Sequence, residues 1–85
     1  MEEWQEGLLE LIRMNQFQEV VKRAEKIAKE TGRYDEVARF LIGAGSGAGC
    51  RDESSAIMLI EKAEEIAKDV VVKDLAKRAI AVLKS

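Results

Sequence analysis

The amino-acid sequence predicts an all-α domain of four to five short helices, arranged as stacked antiparallel hairpins or as a compact helical bundle. Apolar residues recur at intervals of three and four along most of the chain, which is the period of one helix face. Proline is absent and aromatic residues make up only 5% of the chain, so the core is expected to consist of Leu, Ile, Val and Ala. The 85 residues are expected to form a single helical domain, 1–85.

Asn15 separates the first two predicted helices. Residues 2–14 carry an amphipathic pattern whose inward residues are Trp4, Leu8, Leu11 and Ile12. Asn15 is a favourable N-cap, and Gln18 three positions later completes a variant of the capping box, so a second helix is predicted over 16–30. Gly32 is expected to end it in the left-handed conformation. The stripe expected to face the core consists of Phe17, Val20, Val21, Ala24, Ile27, Ala28 and Thr31.

Three further helices are predicted after Gly32. The third covers 34–42, and the glycine run behind it is expected to end it, because each glycine within a helix costs about 1 kcal/mol relative to alanine. Asp52 is the expected N-cap of a fourth helix that runs to about residue 68. The fifth covers 72–83, with Val70 and Val71 as its apolar beginning. Its inward residues are expected to be Val72, Leu75, Ala76, Ala79, Ile80 and Leu83.

Two stretches of the chain echo each other at an offset of 39 residues. The identical positions are Ala24/Ala63, Glu25/Glu64, Ile27/Ile66, Ala28/Ala67, Lys29/Lys68, Asp35/Asp74 and Arg39/Arg78. The echo indicates hairpin units over 15–42 and 55–83, joined by a glycine-rich connection over 43–50. A composition rich in Ala, Glu and Lys would produce a similar echo, so both explanations stay open.

The stretch NQFQEVVKRAEKIAKETGRYDEVARFL, residues 15–41, resembles a tetratricopeptide-type hairpin. Its NQF and GRY triplets lie where that family turns into each helix. The offset of 39 residues departs from the family's period of 34, and the family's proline and its Trp, Leu, Gly and Tyr signature are missing. The resemblance, which extends again over 55–83, implies a scaffold that binds proteins or peptides without catalysis, and it carries over no functional residues.

The glycine run has three interpretations. A flexible loop between the two units is preferred. If the run is partly helical, the small-residue pairs Gly43/Gly47 and Gly45/Gly49 would permit close approach of another backbone. The third interpretation is an anion or nucleotide cradle, since a Gly-x-Gly-x-x-Ala pattern precedes a helix, although the sequence offers no strands for the sheet that such a cradle needs. That lower-ranked site would consist of Gly43, Gly45, Ser46, Gly47 and Gly49.

The residue types exclude most catalytic chemistry. The chain has one cysteine, Cys50, and no histidine, so Cys–His and Ser–His–Asp arrangements are impossible within one chain and the usual zinc ligands are missing. Cys50 lies beside Arg51 near the start of a predicted helix, and both features make a thiol more reactive. The preferred interpretation is nevertheless a cysteine that is simply packed at the helix end. We expect no enzymatic activity, no cofactor and no metal.

Charge and hydropathy narrow the partners. Acidic and basic residues, 16 and 14, are interspersed to a net charge of −2, which does not favour nucleic acid. No apolar run approaches the roughly 18 residues of a membrane span, and the N-terminus lacks a signal-peptide pattern. We expect a cytoplasmic protein with no nucleic-acid or membrane partner.

The fourth and fifth helices carry more apolar surface than one small core is expected to cover. This excess predicts a protein-interaction or structural module that associates with itself, as a homodimer or another homo-oligomer, or binds another protein. The residues predicted at that interface are Ile57, Met58, Leu59, Ile60, Ala81 and Val82. A second hypothesis is a designed helical scaffold without biological activity. The absence of His and Pro favours this hypothesis. The glycine run and the three valines at 70–72 argue against it, because designers avoid such features.

Overall fold

Five α-helices follow one another in the computed structural model, which describes residues 2–47 and 52–85. They are α1 (Glu3–Arg13), α2 (Phe17–Thr31), α3 (Tyr34–Ser46), α4 (Glu53–Ile66) and α5 (Val70–Lys84). No strand occurs within the described ranges. The radius of gyration is 11.5 Å, close to the roughly 12 Å of a compact domain of this length. The predicted all-α fold is therefore confirmed.

The junction between α1 and α2 is built differently from the predicted capping box. Asn15 has a φ of 60°. Its N–H donates to the carbonyl of Ile12 at 3.0 Å, and the N–H of Gln16 donates to the carbonyl of Leu11 at 2.9 Å. These bonds form a Schellman motif in which Asn15 is the left-handed residue that closes α1. The N-cap of α2 is Gln16, whose side chain makes no capping bond, so the predicted box between Asn15 and Gln18 is wrong.

Gly32 ends α2 as predicted. It has a φ of 74°, and its N–H donates to the carbonyl of Ala28 at 2.8 Å. Thr31, which was predicted to face the core, is exposed, and its hydroxyl donates to the carbonyl of Ile27 at 2.7 Å. The buried residues of α2 are Phe17, Val20, Ala24 and Ala28, so the inward stripe is narrower than predicted.

The third helix continues one turn further than the sequence predicts. It ends at Ser46, with Gly47 as its C-cap, so the first half of the predicted connection is helical. Gly45 is buried, and a Cβ atom there would lie 2.7 Å from Cγ1 of Ile60 and 3.0 Å from the carbonyl oxygen of Ala56. The alternative of a close helix crossing is therefore right at Gly45. The packing of α3 on α4 offsets the poor helix propensity of glycine.

Asp35 fixes the connection between α4 and α5. Its Oδ1 accepts from the backbone N–H groups of Lys68 at 2.8 Å and of Asp69 at 2.9 Å. These N–H groups are thus satisfied without continuing α4, which ends two residues before the predicted boundary. Asp69 then caps α5 by accepting from the N–H of Val71 at 2.8 Å. The last helix therefore begins at Val70 rather than at residue 72.

The central helix is α4. Asp52 caps it as predicted, by accepting from the N–H of Ser55 at 2.7 Å. It packs against α2, α3 and α5, and its contact with α3 is the most extensive between helices in the described part of the chain. Its buried residues are Ala56, Leu59, Ile60, Ala63 and Ile66. A helix with neighbours on three sides needs apolar residues around most of its circumference.

The sequence echo has a counterpart in burial. At the offset of 39 residues, α2 and α4 bury the corresponding pairs Phe17/Ala56, Val20/Leu59, Ala24/Ala63 and Ala28/Ala67. The turns do not correspond, because α2 ends in left-handed Gly32 whereas α4 ends in extended Ala67. The division into hairpin units and the resemblance to tetratricopeptide hairpins stay predictions.

Candidate functional site: an exposed apolar face of α5

The residues predicted at an interface fall into three groups in the fold. Leu59 and Ile60 are fully buried within the chain, so they are not available to a partner. Ile57 and Met58 are half-buried, Met58 against the core. Ala81 and Val82 are exposed on α5. The prediction of an interface on α4 is therefore wrong for its buried residues, because they contact neighbouring helices of the same chain.

Large exposed apolar side chains concentrate on α5. Among the described residues they are Met14 at the end of α1, and Val70, Val71, Leu75 and Val82 on α5. We define the α5 face as Val71, Leu75, Arg78 and Val82, which follow one another at intervals of four, three and four residues. Such intervals place side chains in one row along a helix. Leu75, predicted to face the core, is 40% exposed and belongs to this row.

The α5 face lies beside the buried side of the helix. Val72 and Ala76 are the buried residues of α5. Consecutive residues of an α-helix are rotated by about 100°, so Val71 and Leu75 are displaced by that angle from Val72 and Ala76. The packing of α5 on α3 and α4 therefore leaves the α5 face open to solvent.

Arg78 is the charged member of the α5 face, and the other three basic residues of α5 lie about 150° away around the helix. The helix carries four basic residues, Lys73, Lys77, Arg78 and Lys84, and one acidic residue, Asp74. Arg78 pairs with Asp74 at 3.0 Å, and both side chains are more than half exposed. The Nζ of Lys73 donates to the carbonyl of Glu64 at 3.3 Å. The surface is thus a row of three exposed apolar side chains that also contains Arg78, paired with Asp74, which is the composition of an interaction surface rather than of a catalytic pocket.

No protein-family model, curated protein or solved structure matches the chain. Within residues 2–47 and 52–85, no three His, Cys, Asp or Glu side chains lie together as metal ligands would. Over the same ranges, no helix combines the length and the hydrophobicity of a membrane span.

The glycine run does not have the geometry of an anion cradle. Gly43, Gly45 and Ser46 lie at the end of α3, and Gly47 is its C-cap. The last turn of a helix exposes carbonyl oxygens and the negative end of the helix dipole, whereas an anion needs the N–H groups of a helix start. The predicted cradle is therefore wrong for these four residues. Gly49 and Cys50, with the predictions made for them, lie outside the described residues.

A cluster of charges joins α2 to α4. The Nζ of Lys62 lies 2.8 Å from Oε1 of Glu25 and 3.2 Å from Oε1 of Glu65, and Glu25 also pairs with Lys29 at 3.1 Å. The hydrogen bond from Lys62 is the main cause of the lowered pKa of Glu25, and the same bond raises the pKa of Lys62. Both shifts stabilise the charged forms. The cluster is therefore a tie between two helices and not a poised acid–base pair.

Trp4 anchors α1 to α3. Its ring meets that of Phe40 edge-on, with centroids 5.5 Å apart, and its Nε1 donates to the carboxylate of Glu2. Glu2 in turn accepts from Arg33 at 2.8 and 2.6 Å, and this interaction is the main cause of the lowered pKa of Glu2. α1 is thus held with one side against the core and its other side exposed.

The sequence contains a signal for the α5 face, but the signal depends on where the fifth helix begins. A fifth helix begun at residue 72 leaves Val70 and Val71 outside the helix. When the helix begins at Val70, Val71, Leu75 and Val82 form a second apolar row beside the one that contains Val72 and Ala76. The decisive information is the N-cap at Asp69, which places Val71 on the helix surface.

Proposed function

We propose that the chain is a non-catalytic interaction module that associates with itself through the α5 face. The observation that carries the proposal is the row of exposed apolar side chains, in which Val71 is 56% and Val82 is 73% exposed. Apolar rows rimmed by polar residues are typical of protein–protein contacts. The resemblance to tetratricopeptide hairpins, which implies a protein-binding scaffold, supports the same function.

The expected association is weak. Full burial of a Val or Leu side chain contributes about 1.5–3 kcal/mol, and the side chains of the α5 face are already partly covered. Against this gain stand several kcal/mol for the lost translational and rotational freedom of the two chains. We therefore expect a dissociation constant on the order of 10–100 μM.

Sedimentation velocity and gel filtration with light scattering test the proposal. The chain should be measured from about 5 to about 500 μM, a range that brackets the expected constant, and in a reducing agent so that Cys50 does not cross-link copies. The mass should rise with concentration. A chain that stays monomeric over the whole range would refute self-association.

Two substitutions on neighbouring positions of α5 assign the surface. Val82→Glu places a charge within the α5 face and should weaken association at least tenfold, since that factor corresponds to about 1.4 kcal/mol. Ala81→Glu is the matched control, because Ala81 is exposed and lies about 100° away around the helix. Equal effects of the two substitutions would show that the α5 face is not the contact.

A further inference from the structure

We infer that the α5 face binds the α5 face of a second copy in an antiparallel, two-fold contact, in which Asp74 and Arg78 exchange their bond within the chain for two bonds between chains. This inference rests on the proposed self-association and specifies the direction of the two helices and the residues that select it. Three properties of α5 support it: the spacing of the row, its position along the helix and the placement of the charged pair.

The spacing of the α5 face is the same in both chain directions. Its intervals of four, three and four residues are symmetric about the point midway between residues 76 and 77. Two antiparallel copies aligned at that point place Val71 opposite the partner's Val82, and Leu75 opposite the stem of the partner's Arg78, and each contact occurs twice. A two-fold contact requires this property, because residue i of one copy meets residue j of the other while j meets i.

The point of symmetry lies almost at the middle of α5. The helix covers Val70–Lys84, so its middle residue is Lys77. Two copies aligned at the point of symmetry therefore overlap along nearly the whole helix, which is about 22 Å long. All four side chains of the α5 face then lie against the partner helix. A row centred near one end of the helix would leave apolar side chains uncovered in such a contact.

The charged pair lies where an antiparallel partner can reach it. At about 100° per residue, Arg78 and Asp74 lie on one edge of the row and Leu75 on the other. The two-fold axis keeps that edge of both copies on the same side of the contact. At about 1.5 Å per residue, Asp74 then lies within one residue of the level of the partner's Arg78. Both side chains are more than half exposed in the single chain, where they pair at 3.0 Å.

A parallel contact of the same two faces brings like charges together. It places Arg78 level with the partner's Arg78, and Asp74 level with the partner's Asp74. Like charges across an interface oppose association, whereas opposite charges direct it. The charges therefore favour the antiparallel direction. Because both copies use the same surface, the assembly ends at a dimer.

Reversal of the charged pair separates the two directions. The double variant Asp74→Arg/Arg78→Glu keeps an i, i+4 pair within the helix, and circular dichroism checks its helix content and melting temperature. Two antiparallel copies of this variant restore both pairs between chains, so its dissociation constant should stay within about threefold of that of the unaltered chain. One variant copy and one unaltered copy meet with like charges instead, so the mixed dimer should be weaker by about tenfold or more.

Sedimentation velocity of fluorescently labelled full chains under reducing conditions gives the three dissociation constants. The matched control is Glu19→Arg/Arg23→Glu, which reverses an exposed i, i+4 pair of 3.2 Å on α2 and should leave all three constants equal. A parallel contact predicts a mixed dimer that is stronger than either homodimer, and a contact in which the charges have no role predicts three equal constants. Either result, or growth of the mass beyond a dimer, would overturn the antiparallel inference and leave the proposed self-association standing. Failure of the unaltered chain to associate would overturn both.

Cysteine pairing checks the direction without altering the charges. In a Cys50→Ser background, Val71→Cys and Val82→Cys are made as separate chains. The antiparallel contact places position Val71 opposite position Val82 of the partner, whereas the two copies of position Val71 are about 17 Å apart along the axis. Oxidation of the mixture should therefore yield a mixed disulfide, and oxidation of either chain alone should yield little. A mixed disulfide no more abundant than the disulfide of either chain alone would overturn the antiparallel direction.

Discussion

The substitution Gly45→Ala tests the closest contact in the fold. Gly45 lies near the end of α3 and faces α4. An added Cβ atom would lie 2.7 Å from Cγ1 of Ile60, 3.0 Å from its Cδ1 and 3.0 Å from the carbonyl oxygen of Ala56. Carbon atoms in van der Waals contact are about 3.5–4.0 Å apart. The helices must therefore separate, or the fully buried Ile60 side chain must move by close to an ångström.

The expected change in the free energy of unfolding is the difference of two opposing effects. Alanine improves helix propensity by up to about 1 kcal/mol. Overpacking of a well-filled core costs about 1–3 kcal/mol, and here one of the obstructing atoms belongs to the backbone. We expect Gly45→Ala to be destabilising by about 0–2 kcal/mol once the gain in propensity is included.

Gly43→Ala is the control that isolates the crossing. Gly43 is in the same turn of α3, but a Cβ atom there meets nothing within 4 Å, so only the gain in propensity applies. The two variants should differ by about 1–3 kcal/mol, or about 4–8 °C in melting temperature for each kcal/mol. Urea unfolding followed by circular dichroism and by the fluorescence of Trp4 measures both. A Gly45→Ala variant that is as stable as Gly43→Ala, or more stable, would refute the close crossing.

Three further substitutions test the capping and the charges. Asp35→Ala should lower the free energy of unfolding by about 1–2 kcal/mol and speed hydrogen exchange at the two amides that Asp35 binds, while Asp35→Asn, which keeps an acceptor, should recover most of the loss; an unchanged exchange rate would contradict this. At Asn15, Gly should stabilise by about 0.5–1 kcal/mol and Ala should destabilise by about 1 kcal/mol in urea unfolding, because of the left-handed backbone; a neutral Ala variant would exclude that conformation. Because the pKa of Glu25 is lowered from 4.5, its stabilisation is complete above that pH and is lost as the pH falls through the folded pKa. Lys62→Met should therefore shrink the loss of stability below pH 4.5, and an unchanged acid limb in urea titrations at several pH values would argue against the pair.

Local signals in the sequence predict most of the helices and their ends. Gly32 and Asp52 act where they are expected, because left-handed glycine and an N-cap aspartate depend on few neighbours. Asn15 shows the limit of such signals. An asparagine between two helices can close the first or cap the second, and sequence spacing favours the wrong role. The choice depends on two backbone hydrogen bonds that the sequence does not encode as a motif.

The other differences come from contacts between distant residues. The end of α3 could not be located from propensity, because the contact of Gly45 with α4 outweighs the cost of its glycines. The end of α4 depends on Asp35, which lies more than thirty residues earlier and accepts from the α4–α5 connection. This connection moves the start of α5 to Val70 and thereby exposes the row that carries the proposed function. The prediction of an interface on α4 failed because two situations require the same pattern of apolar residues in the sequence. A helix surrounded by three helices of its own chain and a helix covered by a partner chain both need apolar residues around most of their circumference.

The packing of the single chain leaves several departures from local preference without a reason. Gly7 and Gly43 weaken the interiors of α1 and α3 although no neighbouring atom requires a glycine at either position. Val71, 56% exposed, places a β-branched residue with modest helix propensity in the first turn of α5, where a polar helix former would serve the single chain better. Sequences tend to depart from local preferences where function compensates. Covering of the α5 face by a second copy would compensate the departure at Val71, whereas the two glycines have no explanation in the structure.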